Sequence, residues 1–281
     1  MQPRRAFTPD GVTVAVHDLG GDGPAALFAH ATGFHARVFG PLASQLKNRL
    51  HCHAPDLRGH GQSGVPAGLD FAWSGFGLDV LTALDALGLE RPIGIGHSCG
   101  GAALLLAEEA RPGTFSSLYL YEPVVLPPDR QLAVLSEPLA KRARQRREVF
   151  SSRAEAFDNY ASKPPLDSFD REVLAAYVEY GFEDLADDTV RLCCRGENEA
   201  RIYENGPRHH AFSLLGAVKC PVVLVCGGDS LDFTPSALGQ LAERLIQAQV
   251  EVLPGLGHFG PLEHPELVAA SVIRALDPPP A

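Results

Sequence analysis

Long apolar segments are missing from this 281-residue sequence. Apolar runs such as 102–107 and 222–226 are far shorter than the roughly 20 residues that a membrane-spanning helix needs. Two arginines near the first residue are followed by no apolar stretch, so we expect no secretion signal. These features predict a cytoplasmic protein that does not bind membranes.

Cysteine and positive charge are also scarce. Six cysteines are too few for a disulfide scaffold in a chain of this length, and we expect them to be reduced thiols. The 24 lysines and arginines face 34 aspartates and glutamates, which gives a formal net charge of −10 and argues against nucleic-acid binding. The 28 glycines and 23 prolines are dispersed, which argues against a disordered or fibrous chain.

Strand patterns alternate with helix patterns over most of the chain. This alternation predicts an α/β fold with a mostly parallel twisted sheet and helices on both faces, in which 12–19 forms an edge strand. The alternation stops between about 125 and 208, where we find helical patterns but no convincing buried strand. We therefore predict a core made of 1–124 and 209–281, with 125–208 inserted as a helical cap.

The strongest functional motif is Gly-His-Ser-Cys-Gly at 96–100, between a predicted strand and a predicted helix. This is the G-x-S-x-G nucleophile elbow in the context that the motif requires. Small residues let the chain reverse sharply and expose the hydroxyl of Ser98. The N–H of Cys99, at the start of the helix, is then a candidate donor to an oxyanion.

Two further loops carry candidate catalytic groups. His-Ala-Thr-Gly-Phe at 30–34 directly follows a predicted strand, and the N–H of Thr32 is our candidate for the second oxyanion donor. Gly-Leu-Gly-His-Phe at 255–259 follows the last predicted strand. His258 in this loop is the candidate general base, because a histidine at the end of a strand can reach a serine across the sheet edge.

With the stretch Asp56–Ser63, these motifs make the sequence resemble the α/β-hydrolase superfamily over nearly its whole length. Ala31 stands where that superfamily usually has glycine. The resemblance implies the α/β-hydrolase fold with an inserted cap and a Ser-His-acid triad that includes Ser98 and His258. It also implies that Asp56–Ser63 shapes a turn and takes no part in catalysis.

The resemblance leaves two places for the acid of the triad. In the commonest branch the acid follows the penultimate strand, but the usual spacing falls here on Ser230, with Asp229 and Asp232 beside it. Branches similar to haloalkane dehalogenases place the acid after the strand that follows the elbow helix, where this chain has Glu122. We favour Glu122 and keep Asp232 as the alternative.

A serine nucleophile with a histidine and an acid indicates acyl transfer to water without a cofactor. The sequence therefore predicts a serine hydrolase that cleaves a carboxylic ester, or a related acyl bond, of a small to medium and mainly apolar substrate. Lactonase, thioesterase, C–C bond hydrolase and perhydrolase activities on the same triad remain open, as does a catalytically idle ligand-binding protein. The expected partner is a small ester-like molecule, and homodimer formation is left open.

The remaining predictions concern the pocket, the cap and metals. Pocket-lining side chains are expected among aromatic and polar residues beside the catalytic loops: Phe34, His35, Trp73 and Phe259. The basic cluster at 141–147 is predicted to be a solvated face of a cap helix. His51 and His53 share one face of a strand, but with no third ligand in the sequence pattern we predict no metal site.

Overall fold

A computed structural model of the protein describes residues 2–125, 127 and 132–277. Its strands are β1 (Arg4–Phe7), β2 (Thr13–Gly20), β3 (Ala25–Ala29), β4 (His51–Asp56), β5 (Ile93–His97), β6 (Ser117–Tyr121), β7 (Val149–Phe150), β8 (Phe182–Asp184), β9 (Val190–Leu192), β10 (Val222–Gly227) and β11 (Ala248–Leu253). Its α-helices are α1 (Gly40–Leu46), α2 (Ser74–Leu87), α3 (Cys99–Ala110), α4 (Leu132–Arg144), α5 (Arg153–Ala161), α6 (Arg171–Tyr180), α7 (Gly196–Asn205), α8 (Ala211–Leu214), α9 (Pro235–Ala242), α10 (Gly260–Glu263) and α11 (Pro265–Leu276).

The main sheet has eight strands in the order β1-β2-β4-β3-β5-β6-β10-β11. The strands from β4 to β11 in this order run parallel, while β1 and β2 are antiparallel to their neighbours. The predicted mostly parallel sheet is therefore confirmed. The prediction that 12–19 lies at the edge is wrong, because β1 pairs outside β2. With four residues, β1 is too short to show a clear period in the sequence.

Helices cover both faces of this sheet, as the alternating pattern predicts. On one face, α2 and α3 bury Phe76, Val80 and Leu105 against the strands. On the other face, α1 and α11 bury Leu42 and Val272 in a second apolar cluster. Among the described residues, no helix is both long enough and apolar enough to span a membrane.

The segment between β6 and β10 packs over the end of the sheet at which the 30–34 loop lies. It contains α4 to α8, and also a small antiparallel sheet in the order β7-β9-β8. The helical patterns that we found in 125–208 give no sign of these strands, since strands of two or three residues leave no periodic pattern. An apolar cluster joins this segment to the core, and it includes Phe34, Val38 and Leu262 on the core side.

Candidate active site

The turn between β5 and α3 holds Ser98 at a φ of +55°, a backbone conformation that residues other than glycine rarely adopt. Such strain costs about 1–3 kcal/mol and persists only where the surrounding structure enforces it. Here the enforcement comes from close packing at glycines. A Cβ atom at Gly96 would lie 2.7 Å from the Cα of Gly101, and one at Gly100 would overlap the carbonyl of Ala29.

A chain of hydrogen bonds joins the three residues that we favoured for the triad. The Nε2 atom of His258 lies 3.1 Å from the Oγ of Ser98, and its Nδ1 atom lies 2.7 Å from the Oε2 of Glu122. A serine, a histidine and a carboxylate in this order have the geometry required for general-base activation of the hydroxyl. The three come from separate places in the sequence, at the ends of β5 and β6 and in the loop after β11.

The carboxylate of Glu122 is fully buried and held from several sides. Its Oε1 atom accepts a hydrogen bond of 2.8 Å from the N–H of Gly227, and its Oε2 atom accepts one of 3.0 Å from the hydroxyl of Ser230. Asp229 and Asp232, the alternatives on the same loop, are exposed. The structure therefore gives His258 Nδ1 the partner that we favoured, and places a serine hydroxyl against that partner.

The loop that carries His258 is fixed by side chains that our sequence reasoning did not identify. The ring of His97 donates a hydrogen bond of 2.8 Å to the carbonyl of His258, and the hydroxyl of Tyr121 donates one of 2.7 Å to the carbonyl of Gly257. The ring of Phe233 stacks on the imidazole of His258, with centroids 5.0 Å apart. His97 is the variable position between the glycine and serine of the elbow motif, so the motif itself gives no signal for it.

Thr32 and Cys99, the candidate oxyanion donors, lie near each other at the end of the sheet that carries Ser98. Both residues are buried, and the side chain of Thr32 lies near the thiol of Cys99. Burial raises the pKa of the Cys99 thiol to about 12, so the thiol stays protonated and is a poor nucleophile. As the first residue of α3, Cys99 has its N–H in the first helical turn, where N–H groups lack an acceptor within the helix.

Two buried histidines hold the 30–34 loop in place. The Nε2 atom of His60 accepts a hydrogen bond of 3.0 Å from the N–H of Gly33, and that of His30 accepts one of 2.9 Å from the N–H of Leu57. Burial lowers the pKa of His30 to about 3 and that of His60 to about 4. Both rings are therefore neutral near pH 7, which is required because Nε2 can accept a hydrogen bond only when it carries no proton.

The predicted pocket residues fall into two groups. Phe259 lies beside His258, with ring centroids 5.3 Å apart, and Phe34 packs against Phe259 with ring centroids 6.0 Å apart. His35 and Trp73 are instead packed into contacts between core and cap. The ring of His35 bonds to the carbonyl of Tyr177, and the indole N–H of Trp73 donates to the carbonyl of Ile202.

Arg146, from the basic cluster, does not lie on a solvated face as we expected. Its guanidinium group donates hydrogen bonds to the carboxylate of Glu199, at 2.5 Å, and to the hydroxyl of Tyr177, at 2.6 Å. A Cβ atom at Gly33 would lie 2.9 Å from that carboxylate, so the ion pair packs directly against the 30–34 loop. Arg144, in contrast, lies on the exposed side, where it forms ion pairs with Glu197 and Glu204.

Comparisons with known proteins agree with this architecture. A family profile described as "Alpha/beta hydrolase family" matches residues 26–271. An abhydrolase domain-containing protein of Alternaria alternata is 24% identical over 226 residues, which cover 67% of this chain and 84% of that protein.

Two solved structures extend the comparison to nearly the whole chain. The crystal structure of E-2-(acetamidomethylene)succinate hydrolase is similar with a TM-score of 0.84 at 22% identity, over 98% of each chain. A thermophilic esterase from Thermogutta terrifontis, solved with malate bound, has a TM-score of 0.74 at 21% identity, over 99% of this chain and 98% of that one. With the profile match, the sheet order and the elbow, these findings show that this chain belongs to the alpha/beta hydrolase family.

Proposed function

We propose that this protein is a cofactor-independent serine hydrolase that cleaves a carboxylic ester or a related acyl bond. Ser98 is the nucleophile, His258 the general base and acid, and Glu122 the carboxylate that orients His258. The observation that carries the proposal is the continuous hydrogen-bonded chain from Ser98 Oγ through both ring nitrogens of His258 to Glu122 Oε2.

The first half of the reaction forms an acyl-enzyme. The oxygen of Ser98 attacks the substrate carbonyl while the Nε2 atom of His258 takes the hydroxyl proton. Glu122 stabilises the imidazolium that forms, and the N–H groups of Thr32 and Cys99 donate to the oxyanion. The tetrahedral intermediate then collapses, and His258 gives its proton to the leaving alcohol.

The second half repeats these steps with water. His258 takes a proton from a water molecule, which attacks the acyl carbon, and the second tetrahedral intermediate releases the carboxylic acid as Ser98 recovers its proton. The N–H donors serve both halves, and losing one such donor typically costs about 3–4 kcal/mol of transition-state stabilisation.

The surroundings of Ser98 favour a mainly apolar, uncharged acyl group. Phe34, Phe169 and Phe259 form an aromatic wall with ring centroids 5.5–6.0 Å apart. The positive charge of Arg146 is balanced by Glu199, so among the described residues we find no uncompensated cation at this wall. Proteins of similar structure include an esterase and a hydrolase of E-2-(acetamidomethylene)succinate. The triad would also serve the hydrolysis of lactones, thioesters, amides or C–C bonds, which remain alternatives to the ester.

Covalent labelling tests the nucleophile directly. We expect a fluorophosphonate probe to add one adduct to the wild-type protein, at Ser98, as detected by intact mass and peptide mapping. Ser98→Ala should give no adduct, whereas Ser213→Ala, a change at an exposed serine of α8, should label like the wild type. A wild-type protein that folds but takes no label contradicts the enzymatic proposal and favours the catalytically idle ligand-binding protein.

A substrate panel then separates the bonds. Short p-nitrophenyl esters, lactones, acyl thioesters, N-acyl amides and dienoate C–C substrates are compared by kcat/KM. We expect the neutral esters to rank first. A labelled Ser98 with the highest kcat/KM on another member of the panel would keep the triad and replace the ester by that substrate class.

A further inference from the structure

A cluster of two histidines and one aspartate lies at the end of the sheet opposite Ser98. Strands β4, β5 and β6 run in the same direction, and Ser98 and Glu122 directly follow the last residues of β5 and β6. His51 is the first residue of β4 and therefore lies near the other end. Nothing in the proposed hydrolysis uses this part of the sheet.

Strand pairing brings three side chains together there. His51 and His53 alternate with Cys52 along β4 and so lie on one face of the sheet, with ring centroids 4.4 Å apart. Asp18 on β2 is the direct cross-strand partner of His53. One nitrogen of each ring and one oxygen of Asp18 all lie within 4.8 Å of one another.

Hydrogen bonds orient Asp18 and His51 in this cluster, while one ring nitrogen of His53 lacks a hydrogen-bond partner in the described part of the chain. The Oδ1 atom of Asp18 accepts hydrogen bonds from the N–H of Gly20, at 2.8 Å, and from the ring of His51, at 3.0 Å. His53 is 8% exposed, and its buried Nδ1 atom has no hydrogen-bond partner among the described residues. A buried polar atom without a partner is destabilising, so this ring gains from a partner that the described residues do not supply.

We propose that Asp18, His51 and His53 form a binding site for one divalent transition-metal ion, Zn²⁺ or an ion of similar preference. Two imidazoles and a carboxylate are ligands that Zn²⁺, Co²⁺ and Ni²⁺ accept, whereas Mg²⁺ and Ca²⁺ prefer sites made of oxygen atoms.

The spacing suits a small closure around the ion. Ligand atoms about 2.0–2.1 Å from a tetrahedral zinc ion lie roughly 3.4 Å from one another, so atoms within 4.8 Å can converge by side-chain rotation on a rigid sheet. The ion replaces the hydrogen bond between His51 and Asp18, and water completes its coordination. The site links β2 to β4, and the proposal gives it no part in the chemistry at Ser98.

Metal titration tests the site without any assay of activity. We expect isothermal titration with Zn²⁺ to show one equivalent per chain, and Co²⁺ to give a visible absorption spectrum typical of low coordination number. His53→Ala, His51→Ala and Asp18→Asn should each weaken Zn²⁺ binding at least tenfold. The matched control is His264→Ala, which removes an exposed histidine that lies 3.5 Å from Glu266 and should leave binding unchanged.

Two outcomes overturn the proposal. Zn²⁺ binding that survives in folded His53→Ala, or that falls equally in His264→Ala, shows that the cluster is not the site. Binding that disappears only in His258→Ala places the metal at the catalytic histidine instead. Circular dichroism without metal identifies any variant that fails to fold. If both histidine variants fail to fold, Asp18→Asn provides the test, because Asp18 is exposed.

Discussion

At the scale of single residues, the carboxylate of Glu122 and the hydroxyl of Ser230 meet at the same point beside His258. Ser230 stands where the resemblance predicts an acid, and its hydroxyl donates to the same Glu122 oxygen that accepts from His258. The glutamate at the end of β6 reaches the position beside the imidazole that an acid on the β10 loop would otherwise fill. Replacing Glu122 should therefore disable His258, and a carboxylate at 230 has the right place to restore it.

Glu122→Gln should lower kcat by about three to four orders of magnitude, because a triad histidine without its carboxylate loses its tautomer and the stabilisation of its charged form. Asp232→Asn is the matched change on the β10 loop and should alter kcat by less than threefold. Steady-state kinetics on a neutral ester, with the concentration of folded protein set by absorbance and circular dichroism, measures both. A large loss in Asp232→Asn with a small loss in Glu122→Gln would reverse the assignment.

Relocation of the acid gives a second test at this scale. Adding Ser230→Asp to Glu122→Gln should recover at least tenfold in kcat, since the new carboxylate lies where the hydroxyl of Ser230 now meets Glu122. Ser230→Asn in the same background has nearly the same shape but no charge, and it should recover nothing. Equal recovery of kcat in the two double variants would show that a negative charge at residue 230 does not restore His258.

At the scale of elements, the sequence predicts the catalytic loops better than the cap that covers them. The elbow is recognisable because the strand-to-helix turn at Ser98 requires small residues at fixed positions. The neighbours of the turn are not recognisable in this way. Arg146 lies in a cluster of exposed basic residues, and only the packing of α7 against the 30–34 loop shows that its partner Glu199 is buried.

Glu199→Gln should change substrate preference at this contact between cap and loop. Without the carboxylate, the guanidinium of Arg146 keeps its phenol partner but has no counter-charge, and hydrogen bonds to charged groups are worth about 1.5–3 kcal/mol. We expect the ratio of kcat/KM for a carboxylate-bearing ester over its neutral analogue to rise about tenfold or more. The ratio does not depend on the active fraction of the preparation.

Glu204→Gln is the control for this change, because Glu204 pairs with Arg144 on the exposed side of the cap. Its ratio should match that of the wild type. An unchanged ratio in Glu199→Gln would show that Arg146 does not face the acyl group.

At the scale of the whole molecule, the sheet and its two helical layers follow from sequence periodicity, while the contacts between distant segments do not. Strands buried on both faces leave apolar runs that are easy to identify, but β1 and the cap strands are too short to do so. The sequence pattern also gives no signal for the carboxylate beside His51 and His53, for another reason. Asp18 is distant in sequence, and only the pairing of β2 with β4 brings it to them.

Buried neutral histidines are a second property of the whole fold. Burial lowers the pKa of a set of histidines spread over the two parts of the core: His30, His35, His53, His60, His97 and His209. In the unfolded chain these rings have a pKa near 6.5 and bind protons below it, whereas the folded state keeps them neutral. The free energy of unfolding should therefore fall as the pH drops below about 6.5, by up to about 1.4 kcal/mol per pH unit for each ring.

His209 isolates one ring of this set, because burial lowers its pKa to about 4 and it lies outside the proposed triad. Its ring donates to the carbonyl of Val124, a bond that a glutamine can replace without binding a proton. Urea unfolding at pH values from 7.5 to 4.5 should show that His209→Gln reduces the slope of unfolding free energy against pH by about 1.4 kcal/mol per unit below pH 6. The adjacent exposed His210→Gln should keep the wild-type slope. Equal slopes in all three proteins would show that His209 takes up its proton in the folded state as readily as in the unfolded chain.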